Sequence, residues 1–557
     1  MKKTLVVFLL TCALVVPMAS MQAQRRPAKK DAATSTNLPA ERGADQITEA
    51  QMRAILSFVA SDEMEGRDTP SRGLDATAKF IATNLTRWGL KPAGDNATYF
   101  QSITLRRERA DSGQTRVELA GQNLTAGEDY IATPTPGIVS GQLVFAGNGW
   151  FIRSKNIDAY KDIDARGKIA VIFAPPNGFP RMVRQREPLG KQGEDWLNAI
   201  DYARKQGVAG IIYVPDFQYL ANWNRNRERI MERGSIFPEK FITQSGAQTP
   251  SIIASPKLAN AIFQGEKHSA AYLFESAYGS GETLASPFAL NPDNKMGISI
   301  VTKTDSLLTQ NVVAVWEGSD AVLKDEYVAL GAHYDHVGIG DPVHGDSIYN
   351  GADDDASGTT ALLVMAEALA HASKRPKRST LFVWHCGEEK GLWGSRYFIE
   401  NPTIPIDRIV AHLNMDMIGR SKQLDDTNQM NKNLSGRNDI YIIGPGIMST
   451  ELRELSEAVN KSFLNIAFDY RYDTASDPNR FFFRSDHYHY ARKGIPIIAF
   501  FTGTHQDYHR PSDSSDKIDY QKLEKVTRTI YLISWELASR PDRPKIDKQL
   551  PAQVSSN

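Results

Sequence analysis

Between about residue 308 and residue 540, short apolar β-like runs alternate with helical ones, and this pattern restricts the fold more tightly than any other in the chain. The runs NVVAVWEG, YVALGAHYD, TLFVWHCGEE, IVAHLNMDMIG and IPIIAFFTG interleave with the helical stretch ASGTTALLVMAEALAHASK, a second around 449–463 and a third from about Tyr520 to Ser539. Strands separated by helices have to be joined by crossovers. The expected fold is therefore α/β, a mostly parallel mixed sheet with helices on both faces. In open sheets of this kind a ligand sits in the crevice beyond the carboxyl ends of the strands, so the polar residues standing at those ends carry the functional information.

Carboxylates and imidazoles stand there. After YVALGA come His333 and Asp335, after TLFVWHCG come Glu388 and Glu389, within IVAHLNMDM comes Asp416, and beyond IPIIAFFTG lie Tyr508 and His509. The stretch NGADDDASG sets Asp353, Asp354 and Asp355 side by side at the start of the helix that follows the first of these strands. Like charges so close disfavour one another's ionised form unless a cation compensates. Ten of the eleven histidines lie at or beyond His333. Histidine with carboxylate, and no thiolate cluster, is a ligand set for a catalytic zinc or similar divalent ion rather than for a structural Cys-rich site. Two metals about 3.5–4 Å apart that share one carboxylate need about five protein ligands, and the chain offers that number. A calcium loop does not fit, because the twelfth position counted from Asp353 is Val364 where a bidentate Glu is required. Taken singly, GEE reads equally well as a solvated turn and HYD as a hydrogen-bonded surface pair. Asp416 is more telling, since a carboxylate in an apolar strand is costly to bury without a cation.

The rest of the chain gives context. MKKTLVVFLLTCALVVPMASMQAQ has two lysines, an apolar run and small residues ending near Ala23, the pattern of a secretory signal peptide over residues 1–24. The apolar run is shorter than the roughly 20 residues that span a bilayer, and no later segment is long and apolar enough, so no membrane span is expected in the mature form. The expected location is secreted or periplasmic. Cleavage removes Cys12 and leaves Cys386 as the last cysteine, so no internal disulfide is expected. Residues 25–45 read as a flexible leader, and ITEAQMRAILSFVASDEMEG and DATAKFIATNLTRWGL are helical, with Gly89 ending the second. Between about 110 and 285 short Val/Ile-rich runs bounded by Gly or Pro form a separate β-rich insertion, on which NWNRNRERIMERGSIFPEK reads as a surface loop. Lys+Arg balances Asp+Glu at 65 each, so nucleic acid is not an expected partner.

The motifs HYDH, NGADDDASG, CGEEKGLWGS, NMDMIG, SDHYHY and DYHRPSD, in that order, resemble the secreted co-catalytic di-zinc aminopeptidases and their glutamate-carboxypeptidase-like and transferrin-receptor-like relatives. The resemblance extends to SDEMEGRDTPSRG, and the insertion is similar to a protease-associated domain. It implies an N-terminal part of the peptidase domain over 46–110, the insertion over 111–285, the catalytic remainder over 286–540 and a flexible tail over 541–557. It also implies two Zn²⁺ ions: Asp354 bridging both, His333 and Asp416 completing one site, Glu389 and His509 the other. Three carboxylates and a bridging hydroxide then balance the two dications. Asp335 would orient the imidazole of His333, as carboxylates do for metal-bound histidines. Glu388 resembles the family's general base, and Tyr508 would stabilise the oxyanion. Asp486 and His487 match a motif near the substrate pocket, whereas His489 and Cys386 read as structural. The implied activity is release of the N-terminal residue of peptides. Its alternatives are a dipeptidase, carboxypeptidase-type or cyclase reaction on the same fold, or an inactive receptor-like binding protein. All five implied ligands and the implied base are present, which argues against the inactive form.

Overall fold

The computed structural model describes residues 42–550 other than 177, 181–182, 184–188, 243–247 and 280–284. The expected signal peptide, most of the leader and the end of the tail lie outside the described residues. Two N-terminal helices, α1 (Glu49–Val59) and α2 (Arg72–Trp88), start on Thr48 and Ser71, whose side chains accept the N–H of Gln51 and of Leu74 and so satisfy donors that a helix start leaves free. Gly89, at φ 77°, ends α2 in the left-handed conformation that glycine adopts at little cost.

The main sheet is built from β1 (Phe100–Ala110), β2 (Thr302–Trp316), β3 (Tyr327–His333), β4 (Ser379–His385), β5 (Ile409–Met415), β6 (Asp439–Ile443) and β7 (Ile497–Phe501). Its order runs β1-β2-β4-β3-β5-β7-β6. The centre is parallel, through the pairs β4/β3, β3/β5 and β5/β7, and the flanks are antiparallel, through β1/β2, β2/β4 and β7/β6. One face is covered by α1, α2, α3 (Ala356–His371), α5 (Thr450–Ser462) and α6 (Tyr520–Ser539), and the other by α4 (Trp393–Glu400) and the short helix His487–Arg492. Helix α3 is buried along almost its whole length, and this explains why ALLVMAEALA lacks a polar stripe: a helix apolar all round belongs inside.

A second sheet of nine strands occupies the insertion, with its own apolar cores on both faces. It begins after Ala110 and ends at Ile300, because Lys295–Ile300 pairs with Gly137–Phe145 and Arg116–Leu119. The expected boundary at 285 therefore falls too early. The turn residues NPDN precede one more strand of the insertion, whose alternating burial marks it as a strand but says nothing about which sheet it joins. The expected surface loop, residues 222–240, is also ordered structure: a helix Trp223–Arg227 that follows the helix Phe217–Ala221, a π-helical turn Glu228–Arg233, and a strand Ser235–Pro238 that pairs with β1 at the edge of the main sheet. Asp216 caps the first helix, and the Trp223 indole donates to the Gly127 carbonyl at 2.8 Å. The Trp223 bond and the pairing with β1, both made to residues distant in sequence, override a polar local sequence. Among the described residues no helix is long and apolar enough to cross a membrane.

Candidate metal centre

The carboxyl ends of the parallel strands converge. His333 ends β3, Glu388 and Glu389 follow β4, Asp416 follows β5, and the loop after β7 carries Tyr508 and His509. Asp354 lies between them, just ahead of α3. Its Oδ1 is 3.2 Å from His333 Nε2, and its Oδ2 is 3.1 Å from His509 Nε2. His333 Nε2 lies 3.7 Å from Asp416 Oδ1, and His509 Nε2 lies 3.0 Å from Glu389 Oε2. The five residues implied as ligands thus form one cluster, with the two oxygens of Asp354 facing different imidazoles.

The neighbouring aspartates do other work. Asp355 caps α3 by accepting the Gly358 N–H at 2.9 Å and also takes the Met417 N–H at 3.1 Å. Asp353 accepts the Gly419 N–H and stands 3.2 Å from His505 Nε2. Both tie the acidic loop to the segment carrying Asp416, so Asp354 alone faces the centre. The backbone N–H groups of Asp353 and Asp354 donate to Asp513 Oδ2, and Asp513 is in turn 3.5 Å from Arg420.

One expectation changes. The hydrogen bond that fixes the His333 imidazole runs from Nδ1 to the main-chain oxygen of Asp335 at 3.1 Å, while the Asp335 carboxylate is 3.7 Å away. That carboxylate instead accepts the Glu388 N–H at 3.1 Å, so it positions Glu388. Asp486 sits between Ser485 and His487, which line the pocket. It is buried behind the centre with Oδ2 3.4 Å from His385 Nδ1, where burial raises its pKa but the His385 imidazole outweighs burial and holds the carboxyl well below its usual range. His385 Nε2 contacts the Tyr490 hydroxyl at 3.0 Å, and the Tyr490 ring stacks on His412. His487 does line the pocket, and Tyr508 both lines it and stacks on His509 at 3.9 Å between ring centroids. His489 and Cys386 are buried and stand outside both candidate ligand groups.

Arg67 and His336 complete the site and were not singled out in the sequence. The buried Arg67 guanidinium donates to the carbonyls of Val59, Tyr334, Asn350 and Gly351 at 2.7–2.9 Å, tying the N-terminal helices to the His333 turn and the acidic loop. Burial lowers its pKa to about 10, against the pull of Asp335, Asp354, Asp355 and Asp513. His336 stands with Nδ1 2.8 Å from Glu389 Oε1. The signal for it was the fourth residue of HYDH.

The electrostatics of the cluster call for positive charge. Burial lowers the His333 and His509 pKa values, yet the surrounding carboxylates outweigh it and raise both, His509 to about 10. Burial pushes Glu388 well above the ordinary carboxylate range, reinforced by Glu389, Asp416 and Asp486 and opposed by His333. Two donor groups could each hold an ion: His333, Asp354 and Asp416, and His336, Asp354, Glu389 and His509. His333 Nε2, His509 Nε2 and Glu389 Oε1 are buried without a hydrogen-bond partner, as expected of ligand atoms, and the nitrogen and oxygen donors suit zinc. Beside the centre lies a pocket lined by Met417, Ile443, Phe481, Phe500 and Phe501 together with Glu388 and Asp416.

Residues 311–534 match the family model described as Peptidase family M28. Leucine aminopeptidase 2 of Arthroderma otae is 25% identical over 277 residues, 45% of this chain and 50% of that protein. Leupeptin-inactivating enzyme 1 of Streptomyces exfoliatus is 28% identical over 212 residues, 37% of this chain and 38% of that protein. The chain thus spans about half or less of the length of these curated relatives. The solved structure of an aminopeptidase from Aneurinibacillus sp. strain AM-1 superposes with a TM-score of 0.51 at 17% identity over 92% of this chain and 98% of that one, a likeness of fold.

Proposed function

We propose, from the match of residues 311–534 to the model of peptidase family M28, that the protein is an exported zinc aminopeptidase with two ions in its centre. The observation that carries the reading is that Glu388 lines a pocket with apolar walls, beside two donor groups that share Asp354. Zinc, when bound, would supply Lewis acidity, raising the acidity of water and polarising the scissile carbonyl. Glu388 Oε2, 4.0 Å from His333 Nε2, takes the proton of the attacking water, and its raised affinity for protons suits it to that task. It then delivers the proton to the leaving amine. Asp335 holds the Glu388 main chain, and so the base, in place. Tyr508, on the pocket wall, donates to the developing oxyanion. The apolar walls receive the side chain of an apolar N-terminal residue, and the secretory pattern of residues 1–24 supports export.

A second reading, dipeptidase action on the same centre, draws on Arg484. Its guanidinium lines the pocket, rests 5.2 Å from the Phe481 ring centroid and has no ion pair among the described residues. That places an unpaired cation where the carboxylate of a short peptide would reach. The test is hydrolysis of a leucyl peptide by zinc-loaded protein with its N-terminus free or acetylated and its C-terminus free or amidated, with Glu388→Gln as the blank. Cleavage confined to free N-termini is expected, together with a loss of roughly 10²-fold or more in the variant. Cleavage of the acetylated peptide would overturn the aminopeptidase reading. A requirement for the free C-terminus would select the dipeptidase one.

A further inference from the structure

We propose that His336 is a sixth protein ligand of the centre, so that the ion beside Glu389 and His509 is held by four side chains while the ion beside His333 and Asp416 is held by three. The proposal rests on the two-ion reading above. His336 is fully buried, and both of its ring nitrogens lack a hydrogen-bond partner. Its Nδ1 lies 2.8 Å from Glu389 Oε1 and 3.6 Å from Asp354 Oδ2. At 2.8 Å a hydrogen bond would be the ordinary explanation, yet His336 Nδ1 and Glu389 Oε1 both remain without such a partner. With Asp354 and His509 they form a group whose donor atoms all lie within 4.8 Å of one another. The His336 ring meets His509 edge-on at 5.3 Å, so the two imidazoles approach that position from different directions.

The spacing fits a tetrahedral ion. Zinc bonds of about 2.0–2.1 Å put neighbouring donors about 3.3 Å apart. The observed separations of 2.8 and 3.6 Å from His336, and of 3.1 and 3.0 Å from His509 to the same two carboxylates, straddle that value. The backbone is shaped to keep the ring there. Gly351 has φ 58°, and a Cβ on it would come within 2.5 Å of His336 Cγ. Four protein donors close a tetrahedral site, whereas three leave a position open. The open position falls on the His333 side, nearest Glu388, where water and substrate have to enter.

The test is X-ray absorption of the fully loaded wild type, which counts imidazoles: three shared by two ions are expected, and two would overturn the assignment. His336→Gln is then titrated against a competing chelator with metal content read directly. A hydrogen-bond partner outside the ligand set typically changes metal affinity roughly 10–100-fold. A ligand is expected to exceed that for the tighter ion, and a smaller change counts against the proposal. If His336→Gln does not fold, the wild-type spectrum decides alone. A wild type that binds only one zinc would instead sink the two-ion reading on which this rests.

Discussion

At the scale of single residues, Arg67 shows how much of the site depends on a group that never touches it. A guanidinium has five donors, and this one satisfies four buried carbonyls from three separate segments. Arg67→Met leaves those oxygens without donors, at about 1–3 kcal/mol for each that water does not reach. Chemical denaturation is expected to show at least about 3 kcal/mol of lost stability, with zinc retention falling alongside, because the His333 turn and the acidic loop lose their common anchor. A loss under about 1 kcal/mol would mean that water replaces the guanidinium. The clustering of His333, Asp354, Glu388, Glu389, Asp416 and His509 was legible in the sequence because residues at the carboxyl ends of adjacent parallel strands must meet. Arg67 and His336 were not, since their roles depend on loops whose course no local pattern fixes. Asp335 was placed correctly beside His333, but which of its oxygens does the holding is a matter of backbone geometry.

At the scale of elements, α6 braces the loop behind the centre through one buried cation. Lys522 Nζ donates to the Arg420 and Gly436 carbonyls and to Ser435 Oγ at 2.7–3.0 Å, and the same loop contributes the Met417 and Gly419 N–H groups that hold Asp355 and Asp353. Burial lowers the Lys522 pKa from 10.5 to about 8, with Asp439, Asp353 and Asp519 opposing. Between those two values the unfolded chain holds the proton and the folded chain does not, so stability rises with pH across that window. Below about 8 both states are charged, and the full cost of burying the ammonium remains. The melting temperature of the wild type is therefore expected to gain on that of Lys522→Met between pH 8 and about pH 10. A constant difference between the two would show that the buried amine does not titrate there. The run YQKLEKVTRTIYLISWELAS was readable as this helix from end to end, because its apolar spacing is regular and it occupies an unbroken face of the sheet. The segment 222–238 was not, since Trp223 and the edge strand are held by partners distant in sequence.

At the scale of the whole molecule, the inserted sheet leaves and rejoins the main sheet at a single point. Ala110 and Thr302 face each other across the antiparallel pair β1/β2, so an Asn-Gly turn replacing residues 111–301 closes a two-residue hairpin of a favoured type. Among the described residues, the insertion provides none of those lining the pocket. It does press on the surroundings: Arg225 pairs with Asp341 on the hairpin between β3 and α3, Lys240 donates to Asn401 at 2.7 Å, and Phe241 packs against Tyr397 and beneath the Arg396 guanidinium. These contacts suit the insertion to shaping access rather than chemistry. Excision is expected to leave zinc content unchanged and hydrolysis of a small aminoacyl arylamide within an order of magnitude. The preference between long peptides and that arylamide is expected to shift by at least about tenfold, equivalent to about 1.4 kcal/mol of discrimination. Loss of the Ser235–Pro238 strand bares the edge of β1, and bare edges invite pairing between chains, so the comparison is made on the monodisperse fraction with native circular dichroism. An unchanged preference in that fraction would remove the insertion from substrate selection and leave length discrimination to the pocket and Arg484.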